Sequence, residues 1–208
     1  MARIFIGFMI CLLLVNCTKK EVKKIVKNNP YIISKEDRET LEDLKKRKIP
    51  PPPPPPGQLF YGTNAFIIDK DSNLYYFQGN KSVLACSTGS ENDTIPYFVD
   101  LQPKDLVEIP NNCIADFVKL NYKKEIRNLT FISCQLDTLQ SKNYFDLMEA
   151  IKISCQDMDA YFIGRTTQEE DTVLKYKKNN EYYNFENIKW DKTKIKFPEY
   201  IKFAKAKE

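Results

Sequence analysis

Residues 129–164, LTFISCQLDTLQSKNYFDLMEAIKISCQDMDAYFIG, decide the fold of this 208-residue chain. Both ends of the stretch are short runs rich in β-forming residues, and its middle repeats apolar residues at helical spacing. The pattern predicts a strand over 129–136, a helix over 142–154 and a strand over 160–164. A strand–helix–strand unit of these lengths is a crossover connection, so the two strands should be parallel and the connection right-handed.

Upstream, residues 65–86 predict a β-meander with strands over 65–69, 74–78 and 82–86. Joined to the crossover unit, it indicates an α+β fold: a small mixed sheet, made of the N-terminal β-meander plus the βαβ unit, with two helices packed on it.

Three further elements are expected at the edges of this core. One is the first of the two helices, which begins at a cap formed by Asn111 or Asn112. The others are strands over 97–101 and 172–176.

The N-terminus, MARIFIGFMICLLLVNC, places Arg3 before the apolar run 4–15. A membrane-spanning helix needs about 20 residues, whereas a run of about 7–15 after a positive start is typical of a secretory signal. We therefore expect residues 1–16 to be a signal peptide. The alternative is an uncleaved short anchor or a buried N-terminal strand.

The residues Leu14-Val15-Asn16-Cys17 resemble the bacterial lipobox, although Asn16 stands where Gly, Ala or Ser is usual. The resemblance implies that Cys17 carries lipid on its sulfur and becomes the new N-terminus. The whole chain is similar to small Bacteroidetes-type lipoproteins with a polyproline stalk. That similarity implies a bacterial cell envelope location, with the protein anchored to a membrane, the outer membrane favoured, and its domain outside the cytoplasm.

The charge is concentrated next to this predicted anchor. Residues 17–49 hold eleven Lys or Arg against six Asp or Glu, whereas residues 50–208 hold twenty against twenty-two. A basic tether beside a lipid suits anionic headgroups, and nucleic-acid binding would need the positive patch on the domain. We therefore expect a membrane partner and no nucleic acid. A short exposed helix capped by Ser34 is expected within the tether.

Pro50–Pro56 is a run of seven prolines. It predicts a stiff polyproline II spacer of about 20 Å, followed by a globular domain over 57–208 with a loose C-terminal tail. The alternative is a proline-rich ligand for an SH3-like partner.

The chain contains no histidine. This excludes Ser-His-Asp and Cys-His catalysis and every metal site built on histidine. No CxxC pair is present either, so neither a metal nor a cofactor is expected.

Three adjacent acids, Glu169, Glu170 and Asp171, follow the last predicted strand of the crossover unit. Ligands often bind at the carboxyl ends of parallel strands, so these acids are the candidate site of a carboxylate-dependent enzyme. The interpretation we prefer is a solvated acidic loop.

The aromatic residues Trp190, Tyr182 and Tyr183 of the C-terminal tail are candidates for a surface that binds a partner protein or stacks on sugars, but packing on a sheet face is the interpretation that we prefer for the tail aromatics. The cysteines Cys86, Cys113, Cys134 and Cys155 could form one or two disulfides or remain free thiols, and Cys134 is expected in the core.

The order of elements over 65–165 is similar to the periplasmic domain of the TolR/ExbD family, a small α+β unit held outside the inner membrane on a tether. That family carries a transmembrane helix with a functional Asp, which the short apolar run here does not match. Two functions remain. The first is a lipid-anchored, non-catalytic binding or accessory module that contacts an envelope protein or polymer, an immunity protein being one version. The second is a carboxylate-dependent glycan hydrolase of the cell envelope.

Overall fold

The computed structural model describes residues 29–49, 64–79, 95–122, 130–154 and 161–197. The predicted signal peptide, Cys17 and the polyproline run lie outside these ranges. In chain order the elements are β1 (Tyr31–Ile32), α1 (Ile33–Arg47), β2 (Asn64–Ile68), β3 (Leu74–Gln78), β4 (Val107–Ile109), α2 (Ile114–Asn121), β5 (Thr130–Cys134), β6 (Thr138–Leu139), α3 (Lys142–Ser154), β7 (Tyr161–Arg165) and α4 (Gln168–Asn179), followed by a single 3₁₀ turn at Phe185–Asn187.

The main sheet has five strands in the order β4-β3-β2-β5-β7. Strand β3 is antiparallel to β2 and β4, whereas β2, β5 and β7 run parallel to one another. Strands β1 and β6 form a separate antiparallel pair. The predicted α+β class with a mixed sheet is confirmed.

The crossover unit that the sequence predicts is present. Strand β5 leads through α3 to β7, and the two strands pair in parallel with Thr130 opposite Tyr161. Cys134 is completely buried, as expected from its place on the apolar face of the strand. Leu136, which continues the same alternation, is 46% exposed because the strand has already ended.

Each face of the five-stranded sheet has its own hydrophobic core. Helices α2 and α3 cover one face, called here the α3 face, where Phe66 and Ile132 pack with Val118 and Leu147. Helix α4 covers the opposite face, the α4 face, whose buried residues include Ala65, Ile67, Tyr75, Phe77, Leu106, Val173 and Leu174. Because side chains alternate along a strand, β5 and β7 contribute to both faces.

The strand expected over 172–176 is wrong, since those residues lie in the middle of α4. The β-forming residues there suggested a strand, but Val173 and Leu174 are the apolar positions of an amphipathic helix and are both buried. The helix begins at Gln168, and the side chain of the preceding residue, Thr167, caps it.

The strand expected over 97–101 is also wrong. Only Tyr97 forms a β-bridge, to Lys196, and the rest of the segment is an irregular loop over the α4 face. Its buried residues, Phe98 and Leu101, explain the β-like pattern without a strand. The expected third strand of the meander, residues 82–86, lies outside the described residues.

Two expected helix caps differ from the structure. Helix α2 begins after Cys113 without a side-chain cap, and Asn111 instead accepts a hydrogen bond from Asn143 of α3, at 2.7 Å. Helix α1 begins after Ile32, also without a side-chain cap. The hydroxyl of Ser34 donates to Asp137, 2.7 Å away.

The predicted boundary between the tether and the domain needs correction. Strand β1 lies within the expected tether 17–49, yet it pairs with β6. Ile33 is 3% exposed and belongs to the core of the α3 face. Part of the chain before the prolines therefore belongs to the folded unit, because pairing with β6 and burial of Ile33 outweigh the polar composition of the segment. Beyond Ile33, α1 is almost entirely exposed, as the sequence predicted.

Candidate functional site

The solvated acidic loop that we expected at Glu169, Glu170 and Asp171 is wrong, because the three acids lie in the first turn of α4 and the first two are buried. The hydroxyl of Thr167 accepts a hydrogen bond from the backbone N–H of Glu170 at 3.2 Å, and Glu170 accepts one from the N–H of Thr167 at 2.7 Å. This reciprocal capping box satisfies two amides that the start of a helix leaves without intrahelical partners. The spacing Thr-x-x-Glu was the sequence signal for this helix start.

The second carboxylate oxygen of Glu170 is also occupied. The hydroxyl of Ser133, on the α4 face of β5, donates to it over 2.8 Å. Glu170 is 3% exposed, and burial raises its pKa to about 7, against the opposing effect of its hydrogen bonds with Thr167 and Ser133. The residue ties the first turn of α4 to a central strand and has no face open to a substrate.

Glu169 has a different set of partners. Its two carboxylate oxygens accept backbone N–H groups of Val99 and Leu101, at 2.9 and 2.7 Å. The residue has no exposed surface, and burial raises its pKa to about 8 although the two amides favour the ionised form. Glu169 therefore fastens the irregular loop that covers the α4 face to the helix.

Asp171 contacts a third part of the fold, the segment that follows β5. It is exposed and accepts a hydrogen bond from the side-chain amide of Gln135 at 2.8 Å. The three acids that are adjacent in sequence are thus directed to a loop, a strand and the sheet edge. They do not converge on a common point where a substrate could bind.

The aromatic residues of the predicted partner surface also occupy different environments. Trp190 is half-buried, its ring lies 5.3 Å from that of Phe98, and its indole N–H donates to the carbonyl of Phe185. Tyr183 is half-buried as well and packs on the core of the α4 face. Only Tyr182, at 87% exposure, is freely available to a partner.

A groove that sequence reasoning missed lies at the carboxyl edge of the parallel strands. It has a volume of about 290 Å³ and is lined by Ile68, Asp69, Ser72, Leu136, Thr138, Leu139, Gln140 and Ser141. These residues follow β2 and β5, which are adjacent and parallel. The chain leaves β2 toward β3 and leaves β5 toward β7, on opposite sides. Ligands of open α/β sheets often bind outside the carboxyl ends of the parallel strands, so this groove is the candidate functional site.

The only acid in the groove wall, Asp69, is occupied by the protein itself. Its carboxylate accepts the backbone N–H groups of Asp71 and Asn73, each at 2.8 Å, and the ammonium of Lys178 at 2.9 Å. Burial raises the pKa of Asp69, but the bonds from Lys178 and Asn73 outweigh it and the net shift is downward. Asp69 therefore stays ionised and paired, which suits a structural role and not proton transfer.

Residues from three other parts of the fold hold the groove wall in place. Lys178, in the last turn of α4, also contacts Asp71 at 2.6 Å. Asn143 of α3 donates to the carbonyl of Ser72 at 2.7 Å. Gln135, which follows β5, accepts the N–H of Lys70 at 3.0 Å. Such anchoring keeps a binding site in one geometry before the ligand arrives.

The cysteines in the described part of the chain are free thiols. Cys113 is exposed and Cys134 is buried, where burial raises the pKa of its thiol to about 12. Cys86 and Cys155 lie outside the described residues, as does the predicted lipidation site Cys17.

Within the described ranges, no group of three or more Cys, Asp or Glu residues is arranged to hold a metal ion. Among the same residues, every helix is too short or too polar to span a bilayer.

Comparison with known proteins adds no relative: no family model, no curated protein and no solved structure matches the chain.

Proposed function

We propose that this protein is a lipid-anchored component of a bacterial cell envelope whose α+β domain binds a partner and does not catalyse a reaction. The main observation that supports a binding function is the groove at the carboxyl edge of β2 and β5. It is a concave site outside the carboxyl ends of two adjacent parallel strands, and the fold anchors its walls.

The lining of the groove suits a neutral, polar ligand. Hydroxyl and amide groups of Ser72, Thr138 and Gln140 can donate and accept hydrogen bonds, while Ile68 and Leu136 add apolar surface. The Asp69 carboxylate is already matched by Lys178. A hydroxyl- or amide-rich segment fits this chemistry, such as part of an envelope polymer or an extended stretch of an envelope protein.

Two observations weigh against the glycan hydrolase. Glu169 and Glu170 are buried, and both oxygens of each accept hydrogen bonds from the protein. A pair of catalytic carboxylates must face a common cleft with room for the sugar between them. Raised pKa values alone do not make a catalytic acid when no substrate can reach it.

The anchor rests on the lipobox-like ending of the predicted signal peptide and on the basic segment that follows it. It is tested by growing a bacterial host with radiolabelled palmitate. Label should enter the wild-type protein and be absent from Cys17→Ser. Equal labelling of the two proteins would contradict a lipid on Cys17.

Filling the groove with a large side chain tests whether the groove is the binding site. In full-length protein carrying Cys17→Ser, so that lipid does not contribute, Thr138→Trp should reduce cosedimentation with isolated envelope fragments by tenfold or more, about 1.4 kcal/mol or more of lost binding. The matched control is Lys152→Trp, on the exposed side of α3. Equal cosedimentation of the two variants would place the binding site elsewhere.

A further inference from the structure

We propose that strand β7 is an interface for a second copy of this chain, which adds its own β7 in antiparallel orientation and joins the two sheets into one. Strand β7 is at one end of the five-stranded sheet. It carries two large exposed side chains, Tyr161 at 51% and Phe162 at 43%.

The two edges of the sheet differ in how they are protected. Strand β4, at the other end, has three residues, includes the exposed Glu108 and is followed at once by Pro110. Short length, charge and proline are the usual means of preventing edge pairing. Strand β7, with the sequence YFIGR, has five residues, no proline, and only one charge, at its last position. Among the described strands, β7 is therefore the sheet edge with fewer of these protections.

The backbone of β7 fixes which residues are available for pairing. The N–H of Thr166 bonds the carbonyl of Cys134, and the parallel register sets Arg165 opposite Cys134. The backbone groups of Phe162 and Gly164 therefore face β5, while those of Tyr161, Ile163 and Arg165 face outward. Helix α1 also comes near β7, but among the described residues it makes no backbone hydrogen bond to these outward groups.

One symmetric register uses all of these outward backbone groups. In an antiparallel pair of strands, two directly opposite residues exchange two backbone hydrogen bonds at every second position. Centring the pair on Ile163 sets Ile163 against its own copy and Tyr161 against Arg165, so all the outward groups are used. The pairing is isologous, as a two-fold symmetric dimer requires.

The side chains fit the same register. Ile163 packs in the core of the α3 face, so Phe162 and Gly164 lie on the α4 face. Pairing sets Phe162 of one copy opposite Gly164 of the other. A Cβ added at Gly164 would meet no atom within 4 Å, so the neighbouring copy's ring has room there. The ring also continues the stack that Phe162 forms with Phe131, at 5.3 Å between centroids.

The first test is the mass of the full-length Cys17→Ser protein in sedimentation equilibrium. The contact is small, so we expect a reversible dimer with a dissociation constant of about 1 μM or above. Tyr161→Pro removes an outward N–H that makes no backbone hydrogen bond among the described residues, and symmetry doubles the loss. It should raise the dissociation constant about tenfold or more. The control, Tyr182→Pro, changes a strongly exposed residue outside any strand.

The second test reads the register. Phe162 of one copy and Gly164 of the other would form a non-hydrogen-bonded pair. The Cα atoms of such a pair are about 4.5 Å apart, within the range of a disulfide. On a background in which Cys11, Cys17, Cys86, Cys113 and Cys155 are replaced by serine, leaving only the buried Cys134, Phe162→Cys and Gly164→Cys should each fail to cross-link alone and should form a disulfide dimer when mixed. Cross-linking in either single variant, or a wild type that stays monomeric at every concentration measured, would overturn the proposal.

Discussion

The hydroxyl of Ser133 donates a hydrogen bond to the buried carboxylate of Glu170 over 2.8 Å, and so joins the central strand β5 to the first turn of α4. The same carboxylate completes the capping box with Thr167. A side chain that looks like a candidate catalytic acid in the sequence therefore holds a helix on a sheet.

Replacing Glu170 with alanine should lower the free energy of unfolding by about 1–3 kcal/mol, because it removes a helix cap and leaves the Ser133 hydroxyl without its partner. Urea unfolding followed by circular dichroism measures the change. Asp171→Ala, in the same turn but exposed, is the control and should stay within about 0.5 kcal/mol. Equal effects of the two substitutions would contradict the structural role of Glu170.

The buried acids predict a fall of stability from acidic to neutral pH. The ordinary pKa of both side chains is 4.5, and burial raises that of Glu169 to about 8 and that of Glu170 to about 7. Below pH 4.5 both carboxyls are protonated in the folded and unfolded chain, so their contribution is fully present. As the pH rises, the unfolded chain ionises first, and stability falls until the folded pKa values are passed.

Urea titrations between pH 5 and pH 8 test this, since each pKa unit is worth about 1.4 kcal/mol. Glu169→Gln should give a flatter profile, together with a constant loss because its NH₂ group would face one of the two backbone N–H donors. Glu149→Gln, on the exposed side of α3, should keep the wild-type slope. A wild-type free energy of unfolding that rises from pH 5 to pH 8 would contradict the raised pKa values of the two acids.

Lys178→Met should destabilise the groove wall. Asp69 has no exposed side-chain surface, and loss of the ammonium leaves it with its backbone and amide donors alone. We expect a loss of about 1–2 kcal/mol at neutral pH. Because the low pKa of Asp69 makes its contribution disappear as the pH falls, acid unfolding of the variant should begin at a higher pH. Lys175→Met, an exposed change in the same helix, should show neither effect.

Trp190→Ala should lower stability by about 2 kcal/mol, less than for a fully buried tryptophan. Its ring contacts Phe98 and its N–H is bonded to the backbone of Phe185. Tyr182→Ala, at the most exposed aromatic of the same tail, should leave the melting temperature unchanged. If Trp190→Ala left the melting temperature unchanged as well, Trp190 would be a surface residue after all.

The part of the fold that sequence reasoning predicted is the part governed by local pattern. Strand β5, helix α3 and strand β7 follow from apolar periodicity, and Cys134 follows from alternation along its strand. The sequence does not indicate helix α4 clearly, because the β-forming residues around Val173 favour a strand and only the spacing of Thr167 and Glu170 indicates a helix start.

The remaining features depend on contacts between distant residues. The pairing of β1 with β6 joins residues more than a hundred positions apart, and two-residue strands carry no periodic signal. The groove likewise arises only when the parallel pairing of β2 with β5 brings Ile68 and Leu136 to one edge. The candidate site could not be read from the sequence for this reason.

The most direct test of binding without catalysis is an amide chemical-shift titration of the full-length Cys17→Ser protein with soluble envelope fragments. We predict that the largest shifts belong to the groove residues Ser72, Thr138 and Gln140, and that the fragments keep their length throughout. Shifts concentrated on residues 167–171, accompanied by shortening of the fragments, would contradict it and support the carboxylate-dependent enzyme.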